Sequence, residues 1–260
     1  MNNRSDRLSP TTSDTHDLPQ NLANLHIAEE LLRDKALGFV AKDERLKLHI
    51  AVVESAMDLI DVFRQFDTND EDIKVIQVLG MRIFNAFGAA LKLSLSGYHQ
   101  NSALILRDVL ETTFLIDYFS SDRTKIERWR FADKKVRMKE FSPVKIREAL
   151  DARDGFTEKK RHAMYELFSE LAGHPTMKSV FMMRPQKDGD AVSGPFMEAT
   201  ALEAVISEMG RIAIQVGEQI NLFFPEGQSH GVKSRTMFFN LKLRWINTFY
   251  PAPEKTQSGQ

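Results

Sequence analysis

Cysteine is missing from all 260 residues, which removes thiol nucleophiles, cysteine-ligated zinc and iron–sulfur clusters from consideration. Proline (9) and glycine (13) are scarce. After Pro19 the next proline is Pro143, and the stretch between holds only Gly38, Gly80, Gly88 and Gly97. Strand-and-turn architectures need more punctuation than that, so the chain is expected to be helical. No long uncharged apolar run is present. The most apolar region, Val75 to Phe119, is broken by Arg82, Lys92, Arg107 and Asp108, short of the roughly 18 apolar residues of a membrane span. The opening MNNRSDRLSPTTSDTHDLPQ lacks the apolar centre of a signal peptide, so a cytoplasmic protein is expected. A net charge of −1, with 42% apolar and 27% charged residues, excludes collagen-like, wholly disordered and disulfide-framework classes.

What is present is apolar spacing of helical period. Leu46, Ile50, Val53, Met57 and Ile60 step by four and three along a helix of about 42–67. Helices are also expected at about 72–97, 100–120, 197–223 and 234–249. Pro225 and Gly227 stop the fourth. Ser142 before Pro143 reads as a cap with proline in the first helical position. Thr157 with Glu158 reads as the start of a helix that Gly173 ends. Between 179 and 196 two short apolar runs flank Lys-Asp-Gly-Asp, which predicts a small β-hairpin or a structured loop. Residues 1–19 and 250–260 read as disordered tails. The expected fold is therefore all-α: a bundle of about eight or nine helices over 20–249, with one hairpin insertion. The 46–60 seam is available either to the bundle interior or to a second copy in a homodimer.

Three constellations carry chemistry. Arg107 and Glu111 share one face of a helix with Leu104, Phe114, Leu115 and Tyr118. Such a pair is expected to be partly buried, and it serves either to tie helices together or to bind an anion. His174 follows a helix end, where the dipole favours imidazolium. It could hold a phosphate, act as a general acid, or cap terminal carbonyls. Ser169 lies on the same segment, with no acid placed to complete a triad.

The third is the stretch from Arg123 to Arg147, which holds ten basic and three acidic residues. Trp129, Phe131 and Phe141 are interleaved with the cations, including Arg123, Lys125, Arg128, Arg130, Lys134 and Lys135. This pattern suits a nucleic-acid backbone with stacked bases, and equally an amphipathic helix with a solvated basic face. Phosphate-binding glycine motifs are absent. The seven histidines form neither H-E-x-x-H nor E-x-x-H, so no metal and no cofactor are expected.

The segments SGYHQNSALILRDVLETTFLIDYF, YELFSELAGHPT and SGPF resemble a widespread bacterial family of uncharacterised all-helical proteins. Its members pair an R-x-x-x-E helix with a later S-x-x-x-x-H-P segment. The likeness covers roughly residues 75–225 and extends in outline to HEPN-type bundles, which include RNA-cleaving toxins and defence proteins. It implies Arg107, Glu111, Ser169 and His174 as the matching site positions. HEPN nucleases space an arginine and a histidine more widely on one helix than Arg45-Leu-Lys-Leu-His49 does here. The leading expectation is a binding or regulatory module for an anionic ligand or RNA, in stress or phage defence. The alternatives are a metal-independent ribonuclease, with His174 transferring protons and Arg107 stabilising the phosphorane, and a protein–protein adaptor.

Overall fold

The computed structural model describes residues 19–186, 188–225 and 231–251. Most of the two expected tails, Gly227, His16 and His230 lie outside these residues. Among the described residues there are ten α-helices and no strand: α1 Gln20–Val40, α2 Glu44–Arg64, α3 Glu71–Leu95, α4 His99–Ser120, α5 Thr124–Arg130, α6 Lys134–Glu140, α7 Pro143–Arg153, α8 Lys160–Phe168, α9 Ala199–Asn221 and α10 Val232–Phe249. A π-helical turn, Ser169–Gly173, and a 3-10 helix, Met177–Met183, lie between α8 and α9.

Carboxylates start three of the long helices, α2, α3 and α9. Asp43 accepts from the backbone N–H groups of Arg45 and Leu46 at 2.7 and 3.0 Å. Asp70 does the same for Asp72 and Ile73 at 2.8 and 3.3 Å, and Glu198 caps α9 through Thr200 and Ala201. Each satisfies N–H groups that have no partner within the helix, worth about 1 kcal/mol per cap. Ser142 precedes Pro143 as expected but makes no side-chain cap bond. Thr157 does not start α8; Lys159, in the left-handed region at φ 48°, stands before it.

The core is built by α2, α3, α4 and α9, with α10 laid over α2. Phe63, Phe87 and Phe119 are fully buried in it, each contributing about 1.5–3 kcal/mol relative to exposure. Among the described helices α3 has the length and apolarity to cross a membrane, yet Ile73, Ile76, Ile83 and Phe87 are buried within this core. The 46–60 seam is likewise taken up inside the chain: Leu46, Val53 and Ile60 are buried, and α2 packs on α9, α10 and α3.

Two expectations are corrected. The hairpin near 179–196 is not formed among the described residues. Thr176 caps the 3-10 helix by accepting from Ser179 N–H, which turns the first apolar run into a helix. A single bond from Val192 N–H to Met183 C=O, 3.0 Å, then closes the loop. The helix count exceeds eight or nine because Asp133, accepting from Val136 N–H at 2.7 Å, begins the separate short helix α6 after α5. Tyr250, placed in the C-terminal tail by the sequence, packs on Trp245 with ring centroids 5.5 Å apart.

An ion network around the buried Asp117 and Asp151 fastens α7 and α8 to α4. Asp117 meets Arg153 at 2.8 Å and Arg161 at 3.7 Å. Arg161 also pairs with Asp151 at 2.8 Å and with Asp154.

Candidate functional site

Helix α4 sets Arg107 and Glu111 one turn apart, with Arg107 Nε 3.3 Å from Glu111 Oε1. Both side chains are partly buried, as their apolar neighbours require. The separation is that of an ion pair, but the direction is not that of a hydrogen bond, and Arg107 Nε stays buried without one. Arg107 Nη2 instead donates to the Tyr165 hydroxyl on α8. Its guanidinium carbon lies 4.6 Å from the centre of the Tyr165 ring.

A second arginine completes the cluster. Arg147, on α7, is 4% exposed, and its guanidinium carbon is 3.8 Å from the centre of the same ring. Its Nη1 is buried with no hydrogen-bond partner. Burial pulls the Arg147 guanidinium below the usual arginine range, opposed by Tyr165 and Glu111 and reinforced by the charge of Arg107. Arginine remains protonated under such shifts. Two positive charges therefore flank one aromatic ring, with Glu111 the one carboxylate paired to them among the described residues. Cation–π contacts of this kind gain strength when desolvated. Glu111 also lines a cavity of about 150 Å³ with Phe141 and Pro143. Arg147 lines another of about 370 Å³ with Phe156 and His162.

The π turn closes over this cluster. His174 N–H reaches back five residues to Ser169 C=O at 2.9 Å, a widened turn of the type often found at functional sites. Gly173 touches the guanidinium so closely that a methyl group there would overlap Arg107 Nη1. Ser169 is buried, and its hydroxyl donates to Tyr165 C=O at 3.0 Å. His174 is exposed, and its ring makes no hydrogen bond, ion pair or ring contact among the described residues. Its backbone, not its imidazole, closes the turn. The structure thus brings Arg107 and Glu111 together and gives the His174 ring no contact with either among the described residues. Arg147, which the sequence offers only as the end of a basic stretch, and Tyr165 carry no sequence signal as partners of Arg107. A signal for the burial of Arg147 did exist, since it stands three residues before the buried Leu150 of α7 and on the same face.

The basic segment divides. Trp129 and Phe141 pack edge-on against Phe119, at 5.8 and 6.5 Å, while Phe131 is 75% exposed. Arg128 pairs with Glu140, Arg130 with Glu71 at 3.1 Å, and Lys125 sits 4.0 Å over the Tyr118 ring. Arg123 lies 5.6 Å over Phe223. Lys134, Lys135 and Arg137 are exposed with no carboxylate partner among the described residues, while the exposed Lys139 acts on Glu140.

Among the described residues, no three His, Asp or Glu side chains are grouped to hold a metal ion. Comparison of the chain with protein-family models, with curated proteins and with solved structures finds no match.

Proposed function

We propose that this chain is a cytoplasmic binding protein for an anionic ligand, seated at Arg107 and Arg147 beside Tyr165. The observation that carries the reading is the charge count at the cluster: two guanidinium groups, one carboxylate, and buried N–H groups without acceptors. A ligand carboxylate or phosphate supplies the missing charge and the missing acceptors, and arginine presents them as a planar fork. Glu111 orients Arg107 and keeps a second anion from over-filling the site. Binding rather than catalysis is proposed because the Ser169 hydroxyl is engaged and the His174 ring makes no contact with the cluster among the described residues. The resemblance to HEPN-type bundles supports a role in stress or phage defence.

Calorimetric titration with inorganic phosphate and with acetate at low salt tests the reading. Saturable binding is expected, weakened at least tenfold in Arg107→Ala and in Arg147→Ala. Heats that are absent, or unchanged in both variants, reject it.

A second reading, single-stranded RNA along α5 and α6, is favoured by three cations without carboxylate partners among the described residues, Lys134, Lys135 and Arg137, in the segment that follows the exposed Phe131. Its mark is affinity that falls steeply with salt and drops again in a Lys134→Ala, Lys135→Ala double variant.

A further inference from the structure

Helix α10 lies over α2 and meets α9 along one edge, and of its 18 residues only Phe238 and Trp245 are buried. Those two fix its inner face. Gly217 of α9 leaves room for the Phe238 ring, which a methyl group there would overlap. Trp245 Nε1–H donates to Nδ1 of the buried His49 at 3.0 Å. Burial, with Arg211 and Arg45 nearby, pushes the His49 imidazole down to about 4, so it stays a neutral acceptor at ordinary pH.

The outer face carries a second apolar stripe. Val232, Thr236, Phe239 and Leu243 step by four, three and four along one side of the helix. Val232, Phe239 and Leu243 are 43–54% exposed, and the exposed Tyr250 stands at the end of the helix. Packing a surface helix needs one apolar face, and α10 has another left over.

Charge on α10 has one sign. The helix carries Lys233, Arg235, Lys242 and Arg244 and no Asp or Glu. By helical position, Lys233 and Arg244 border the stripe on one side, Arg235 and Lys242 on the other. Lys242 is paired with Glu218. Arg235 donates to the uncharged Asn221 at 2.7 Å. Lys233, Arg235 and Arg244 have no carboxylate partner among the described residues. The exposed acids of α2, Glu54 and Asp58, make no ion pair with α10.

These features discriminate among occupants. A second copy seated on the same stripe would set cation against cation, with no acid on α10 to answer. Three half-exposed apolar side chains and a tyrosine also fall well short of the ~800 Å² per partner that a stable protein interface buries. A bilayer with anionic headgroups meets both conditions. Its acyl region takes up the apolar side chains, and its phosphates lie level with the flanking lysine and arginines.

We infer that α10 docks this protein on an anionic phospholipid surface, lying in the plane of the membrane with Val232, Phe239 and Leu243 turned into it and Lys233, Arg235 and Arg244 at the headgroups. The face is independent of the Arg107 cluster, and either can fail without the other.

Co-sedimentation of the full chain with vesicles of mixed phosphatidylglycerol and phosphatidylcholine tests the inference. Saturable binding is expected, at least tenfold weaker on pure phosphatidylcholine. The Phe239→Ser, Leu243→Ser and the Lys233→Ala, Arg244→Ala double variants should each lose at least tenfold. All four side chains are exposed, so melting temperatures should match the parent. Brominated acyl chains should quench the fluorescence of Phe239→Trp more strongly than that of the parent, reporting entry below the headgroups. The inference is overturned if anionic vesicles do not bind, if either double variant binds them as well as the parent, or if Phe239→Trp shows no added quenching. Binding to poly-L-glutamate but not to vesicles would assign the face to an acidic protein and overturn it equally.

Discussion

The indole N–H of Trp245 is donated to Nδ1 of His49 across 196 positions of sequence, at 3.0 Å. The bond ties α10 to α2 and works only while the imidazole is neutral, because a proton on Nδ1 would face another donor.

Acid should therefore weaken the fold through His49. The folded-state value near 4 lies below the ordinary 6.5, so between these values the unfolded chain binds the extra proton. Stability is complete above about pH 6.5 and falls as pH drops towards 4, by on the order of 3 kcal/mol at ~1.4 kcal/mol per unit. Melting temperatures of His49→Gln and the parent over this range should converge at the acid end. Parallel curves would refute the assignment.

A second acid loss is expected lower down. Arg153, and then Arg161, hold the Asp154 carboxyl near 2 rather than its usual 3.8. Its contribution is present above about pH 4 and disappears as pH falls through 2. Asp117→Asn, which removes a buried acid of the same network, should lower stability by about 3 kcal/mol at neutral pH. Denaturant titration reads this directly, and a loss below about 0.5 kcal/mol would show the network to be idle.

Gly173 abuts the Arg107 cluster, and Gly210 abuts the His49 ring. A methyl at Gly173 displaces the Arg107 guanidinium, and one at Gly210 displaces the His49 ring. Both changes should destabilise by about 1–3 kcal/mol. Gly173→Ala alone should reduce phosphate binding at the Arg107 cluster, a result calorimetry can distinguish from general loss of fold. Equal effects of the two variants on phosphate would dissolve the distinction.

Mixed RNA incubated with the protein in chelator should remain intact, with the parent and His174→Ala indistinguishable on a gel. Cleavage by the parent alone would replace the binding reading with the ribonuclease one.

Helices were legible because proline spacing and the three–four step of apolar residues are local signals. The expected ranges for α2, α3, α4, α9 and α10 agree with the structure to within a few residues. The hairpin was misread for the converse reason. Lys-Asp-Gly-Asp reports turn chemistry, while a strand also needs a partner, and the Thr176 cap draws the first run into a 3-10 helix. At the site, the four-residue spacing exposed Arg107 and Glu111. Tyr165 lies 58 residues from Arg107, and contacts between aromatic faces and guanidinium groups leave no periodic mark. The same distance problem hid Trp245 from His49.

The pairing of α2 with α9 also bears on how the chain is born. Helices α3 and α4 are neighbours in sequence and pack together, so they can associate as soon as both leave the ribosome. Helix α2 must wait for a partner that begins at Ala199, a delay on the order of 10 s at the usual speed of translation. Throughout that interval its apolar stripe has no α9 to cover it. A ribosome stalled before Ala199 would display that stripe, making the nascent chain a client for holdase chaperones until synthesis resumes.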